Sequence, residues 1–199
     1  NELGVEKLIS FCPGCDIMIR GIYPKIIEEY NIESQSIIEY LIEKYHKGEL
    51  EFTTKIDQRI TFHDPCPWRG LNRKIYESPR ELLEIMGAEV VEMKHNRKKS
   101  LCCGAPVSFR NRELAEKISN KRASEAEEAG ADAIAFICTG CVFALSKNAA
   151  EKNIEAYYIT ELAQRAVGEN PTHRIVEVTN QAIELVAKKV GQNLGLIKD

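Results

Sequence analysis

Short β-branched or apolar runs alternate with longer charged stretches along the chain, and cysteine recurs in the loops between them. Residues 7–11 (KLISF), 59–63 (RITFH), 89–93 (EVVEM), 133–137 (AIAFI) and 155–158 (EAYY) read as strands. The intervening stretches carry helical patterns. Ile37, Ile38, Leu41 and Ile42 share one face of a helix over 35–45. Residues 16–30 predict another. Ser78 as N-cap and Pro79 as first residue open a helix that runs through Met86 and closes at Gly87. Residues 111–129 form a long charged helix ended by Gly130, further helices follow Cys138 and begin at Thr160, and 172–192 form a terminal amphipathic helix. Strands joined by helices predict an α/β fold built on a parallel, Rossmann-like sheet with helices on both faces.

The pattern also repeats. The stretch from Leu8 (LISFCPGCDIMIRGIYPKIIEEYNIESQSIIEYL) and that from Ile134 (IAFICTGCVFALSKNAAEKNIEAYYITELA) share the order strand, CxxC, helix, second helix. An internal duplication is therefore expected. About seventy residues with further cysteines precede the second CxxC within its unit and eleven precede the first, so the first unit is expected to be the remnant of a repeat whose front half lies upstream. This divides the chain into a repeat remnant over 1–54, a complete domain over 55–170 and a C-terminal helix over 171–199 that packs on the core.

Composition narrows the function. At 199 residues and 44% hydrophobic content there is enough chain for a sizeable core. A net charge of -3 argues against a nucleic-acid partner. The longest apolar stretch, 133–145, is too short to span a bilayer, and no basic segment precedes an apolar run near Asn1, so neither a transmembrane segment nor a secretory leader is expected. A cytoplasmic setting follows, peripheral to a membrane only through partners. There, seven cysteines point to metal ligation or redox chemistry rather than a disulfide scaffold.

Cys66 is followed after thirty-five residues by Cys102-Cys103, and after thirty-four more by Cys138-Thr139-Gly140-Cys141. Each group follows an expected strand, and the C-termini of parallel strands gather on one edge, so five thiols can converge. Cys138 and Cys141 straddle a strand-to-helix turn, where free N–H groups favour anionic sulfur. Gly140 is expected to permit that turn and Gly104 a close backbone approach. Six cations and no carboxylate lie between Lys94 and Arg112 (Lys94, Arg97, Lys98, Lys99, Arg110, Arg112), and Arg69, Arg73 and Lys74 follow Cys66. Such charge suits an anionic centre or an anionic thiol substrate.

The pattern C-x35-CCG-x33-CxxC, with His63-Asp64-Pro65 leading into Cys66, resembles the CCG, or cysteine-rich, domain found in the B-type subunit of heterodisulfide reductase and in related iron-sulfur oxidoreductases. It covers about residues 55–165, and Cys12-Pro13-Gly14-Cys15 resembles the closing CxxC of a preceding domain of the same kind. The resemblance implies a [4Fe-4S] cluster, cubane or non-cubane, with Cys66, Cys102, Cys103, Cys138 and Cys141 as ligands, and Cys12 and Cys15 as the remnant of a second site. A cubane cluster takes four thiolates, so a fifth would bridge irons, stand outside the coordination or be spare. The chain departs from the family at Pro67-Trp68, where a histidine often follows the cysteine, and at Ala105-Pro106-Val107, where glycines often follow CCG.

Plainer readings stand beside these. Zinc is the lesser alternative for the cysteines. Cys12 and Cys15 could form a thioredoxin-like dithiol. His63 could donate to a ligand or simply bond the loop backbone, Asp64 reads as a turn former before Pro65, Trp68 as a packing aromatic or a shield, and 97–99 as a solvated loop. The expected function is an oxidoreductase subunit of heterodisulfide reductase type, passing electrons to or from a disulfide. A non-catalytic electron-transfer subunit of a glycolate, lactate or glycerol-phosphate oxidising complex is the alternative, and a zinc-stabilised interaction domain the third. Its partners would be flavin or iron-sulfur subunits and a small thiol or disulfide substrate.

Overall fold

A computed structural model describes residues 4–70 and 74–193. The chain opens with strand β1 (Lys7–Ser10) and helix α1 (Pro13–Ile17), which passes through a π-helical turn at Met18–Ile22 into α2 (Tyr23–Ile26). The single helix expected over 16–30 is thus broken. Pro24 has no N–H to return to the preceding turn, and the helix widens ahead of it. Strand β2 (Glu33–Ser36) then pairs in parallel with β1, from Lys7 beside Glu33 to Ser10 beside Ser36. Its sequence, ESQS, carries no strand pattern. Helix α3 (Ile37–His46) starts at once, because Ser36 and Glu39 form a capping box: Ile38 N–H donates to Ser36 Oγ at 3.3 Å and Ser36 N–H to Glu39 Oε2 at 3.0 Å.

The remaining elements are β3 (Arg59–Phe62), α4 (Ser78–Ile85), β4 (Glu89–Val90), α5 (Ala105–Ser108), α6 (Arg112–Glu128), β5 (Ala133–Phe136), α7 (Thr139–Ala150), β6 (Glu155–Tyr158), α8 (Ile159–Ala166) and α9 (Ile175–Asn193). Ser78 proves to be the first residue of α4 and Glu77 its cap, since the Glu77 carbonyl accepts from the N–H groups of Arg80 and Glu81. β4 is shorter than expected. After Val91 the chain leaves the sheet and sends Glu92 to Arg80.

Four strands form a parallel sheet in the order β4-β3-β5-β6. Both faces are covered. Ala133, Ala135 and Ile60 face a cluster with Ile38 and Ile42 of α3, Leu82 and Leu83 of α4 and Leu162 of α8. Ile134 and Phe136 face the other way, against Ala126 of α6 and Val142, Leu145 and Ala149 of α7. Alternation along a strand with both faces buried explains why β5 reads as an unbroken apolar run. Helix α9 lies against α7 and β6, with Ile175 partly buried and Thr179 buried, while Val178, Leu185 and Val186 remain exposed. Among the described residues no helix is long and apolar enough to cross a membrane.

The strand after β3 lies on one side of it and the two later strands on the other. The sheet therefore has a switch point between β3 and β5, where the loops leaving the strand ends diverge and open a crevice.

Candidate metal centre

Both loops at the switch point carry cysteine. β3 runs into His63, Asp64 and Pro65, and Cys66 opens a 3-10 turn (Cys66–Gly70). β5 runs into Ile137 and Cys138, the N-cap of α7, and Cys141 lies buried in the first turn of that helix. Cys102 and Cys103 arrive on the long loop ahead of α5. Gly104 follows them with φ +93°, and a Cβ there would stand 2.7 Å from the Ala115 carbonyl oxygen. Glycine is needed on both counts, and it lets the Gly104 N–H donate to Cys102 Sγ at 3.4 Å. Gly140 differs from expectation. Its φ is not in the left-handed region and a Cβ would meet Ala105 Cβ at 3.7 Å, an ordinary contact.

Three of the sulfurs are close enough to set one another's acidity. The Cys141 S–H donates to Cys103 and Cys138, which pushes the Cys141 thiol up. Cys103 falls to about 4 through that bond, against the opposing effect of burial, with help from His63 and the Ala105 N–H. Cys138 falls to about 6, again through Cys141, then through the N–H groups of Cys141 and Gly140 at the helix start. Cys66 is pushed up by burial and then by the charges of Cys102, Cys103 and Cys138. All five expected sulfurs are thus in one neighbourhood. Among the described residues, His63, Cys103 and Cys141 form a group whose ligand atoms lie within 4.8 Å of one another.

The cysteine loop is anchored by buried ion pairs. Asp64 accepts two bonds from Arg80, at 2.7 and 2.9 Å, and one from the Arg97 N–H at 2.6 Å. Arg80 also binds Glu92, and Arg97 binds Glu77 and Glu92. Ser100 Oγ donates to the Asp64 carbonyl at 3.1 Å. Asp64 is therefore a buried anchor rather than a mere turn former. Arg97 is ion-paired and half-exposed, whereas Lys98 and Lys99 are exposed. Trp68 is buried and stacks on Phe62 at 5.8 Å, the packing role. Arg73 lies outside the described residues.

Cys12 and Cys15 sit at the start of α1, half-buried and exposed respectively. They are not remote. α1 lies against the 3-10 turn that begins at Cys66, and Tyr158, raised mainly by burial, is within electrostatic range of Cys138, Cys141 and Cys12.

Reasoning from sequence missed Arg122. It is buried on α6 and reaches His63, Ser100, Glu125 and the His95 carbonyl. A signal existed: Ser119, Arg122, Ala123 and Ala126 fall at helical spacing on one small-residue face.

A parallel sheet with thiols gathered at its switch point defines a cysteine-rich α/β protein. Comparison with known proteins points the same way: residues 60–146 match the family described as "Cysteine-rich domain" (CCG). It is 29% identical to an uncharacterized iron-sulfur protein of Methanocaldococcus jannaschii over 96% of this chain and 34% of the relative. It is 28% identical to the D subunit of the dihydromethanophenazine:CoB-CoM heterodisulfide reductase of Methanosarcina acetivorans, over 83% of this chain and 42% of the relative. It is 30% identical to the B subunit of a fumarate reductase (CoM/CoB) of Methanothermobacter marburgensis, over 84% and 34%. The chain thus spans between 34% and 42% of the length of these relatives. The relatives are iron-sulfur proteins and oxidoreductase subunits by name.

Proposed function

We propose that the chain is an iron-sulfur redox subunit whose cluster is held by Cys66, Cys102, Cys103, Cys138 and Cys141, and that it passes electrons to or from a disulfide. The observation that carries this is the convergence of the sulfurs at the switch point: those of Cys103 and Cys141 lie within 4.8 Å of each other, with Cys138, Cys66 and Cys102 in the same neighbourhood. Gathering anionic sulfur costs free energy unless a cation or metal centre offsets the repulsion. The donor set is all thiol, five strong, and contains an adjacent pair, which exceeds what a tetrahedral zinc site takes. A thiolate-held iron-sulfur cluster would supply one-electron transfer here. The residues around it hold the cysteine loop through Asp64 and present N–H donors to Cys102, Cys103 and Cys138. The names of the relatives support other redox subunits as partners.

Zinc is the second reading, favoured by the compact group of His63, Cys103 and Cys141. One experiment separates them: anaerobic purification with iron, sulfide and zinc analysis, and electron paramagnetic resonance of the oxidised protein. Iron with matching sulfide and a signal perturbed by added thiols supports the redox reading. Stoichiometric zinc without sulfide overturns it.

A further inference from the structure

His63 is buried between a cysteine sulfur and a guanidinium, and the order of those contacts decides what the ring can do. Arg122 Nε donates to His63 Nδ1 across 3.1 Å. Guanidinium nitrogens donate and never accept, so Nδ1 presents its lone pair and carries no proton. The proton of the neutral ring then sits on Nε2. Cys103 is the ring's other polar neighbour, its sulfur within 4.8 Å of a ring nitrogen, and Nε2–H is the only donor the imidazole has for that sulfur.

Arg122 cannot turn away. Its Nη1 is held by Glu125 and by the His95 carbonyl at 2.6 Å, and its Nη2 by Ser100 Oγ at 3.1 Å. All three nitrogens are engaged. A metal-bound histidine has the reverse pattern, since its free ring nitrogen donates an N–H to a carboxylate, carbonyl or water.

We propose that His63 is a hydrogen-bond donor to the Cys103 sulfur and not a metal ligand, and that Arg122 is the positioning residue that holds the ring in the Nε2–H tautomer. This rests on the reading of the cysteines as ligands and goes beyond it: it divides His63, Cys103 and Cys141 into two ligands and one donor. A donor at a ligating sulfur raises the reduction potential of the group that the sulfur binds.

The test uses the whole chain with 15N-labelled histidine, the His63 signals being assigned by their loss in His63→Gln. In reduced metal-free protein and in zinc-loaded protein, Nδ1 is expected at the unprotonated shift and Nε2 at the protonated one. An Nε2 that loses its proton and shifts when zinc is added overturns the proposal. Arg122→Lys is expected to populate the Nδ1–H tautomer, and an unchanged tautomer in that folded variant removes Arg122 from its role. If Arg122→Lys does not fold, the His63 variants decide. After anaerobic reconstitution, His63→Gln and His63→Leu are both expected to keep wild-type iron and sulfide. The midpoint potential should move more negative in the leucine variant than in the glutamine variant, which keeps a donor. Loss of iron from both folded variants makes His63 a ligand and overturns the proposal. Should the wild type bind zinc and no iron, the redox reading falls, while the tautomer still decides the roles of His63 and Arg122.

Discussion

The two CxxC segments are matched in local geometry and opposed in setting. Cys12 and Cys138 each stand two residues beyond a four-residue strand, each precedes a helix, and each strand has a parallel partner that ends level with it. Yet β5 is buried along its whole length with a neighbour on each side, while β1 is mostly exposed or half-buried and has one neighbour among the described residues. α7 runs twelve residues, and α1 runs five before the π turn. Cys141 is buried and Cys15 exposed. The motif supplies a turn with two sulfurs. The sheet around it, covered on both faces, supplies the site.

The sharpest way to break this comparison is to remove one sulfur from each setting. Cys103→Ser is expected to lose most of its iron and sulfide after anaerobic reconstitution, and Cys12→Ser and Cys15→Ser to keep nearly all. Cys12 borders the centre, so the assay has a real alternative outcome: equal loss from both groups would make all seven cysteines one site. The next largest effect concerns the buried ion pair that anchors the loop carrying Cys66. Arg80→Met leaves the Asp64 carboxylate buried without its bidentate partner, and breaking such a pair costs about 3–5 kcal/mol. Urea denaturation measures it. A loss below about 1 kcal/mol, the level of an exposed pair, would mean that the cysteine loop does not depend on this anchor.

The glycines rank below that. Gly104→Ala must hold φ +93° with its Cβ against the Ala115 carbonyl, and a residue forced into such backbone loses about 1–3 kcal/mol, with the clash in addition. Gly14 and Gly140, the matched glycines of the two motifs, have helical backbone, and a Cβ at either would make only ordinary contacts. Alanine at either is expected to change stability by less than about 1 kcal/mol, in the stabilising direction. Thermal melts of the three variants compare them directly. A large loss at Gly140 alone would show that the second motif needs its glycine after all.

How far these differences can be read from the chain varies with their physical origin. β3, β5 and β6 are legible because burial selects apolar residues, whereas β2, with the sequence ESQS, is a strand only because β1 lies beside it. The break in the helix over 16–30 was visible in Pro24, a local steric effect. The capping box at Ser36 and Glu39 was equally local and legible. In the site, cysteine spacing points to the five sulfurs, since parallel strand ends converge. Arg122, Ser100 and Asp64 act through contacts between residues far apart in sequence. No periodicity reports a pairing of that range. Only the small residues flanking Arg122 on α6 betray that its face is buried.

The smallest expected effect tests the electrostatic side of the comparison. In the second motif the Cys141 S–H, and then the N–H groups of Cys141 and Gly140, draw the Cys138 thiol down to about 6. In the first, Cys15 is pushed up, chiefly by its hydrogen bond with Cys12, then by the Cys12 charge and by slight burial. A raised thiol carries less thiolate at any pH below its own value, and the thiolate is the form that reacts. Cys12→Ala removes the two leading causes, so the rate-against-pH curve for Cys15 should move to lower pH. In reduced, metal-free protein at pH 8, alkylation of Cys15 by iodoacetamide should then quicken, because a lowered thiol carries more thiolate at that pH. Timed quenching and peptide mass mapping measure it, with Cys141, which is buried, as the slow internal reference. An unchanged or slower rate would mean that Cys12 does not hold the Cys15 proton, and the two motifs would then differ in burial alone.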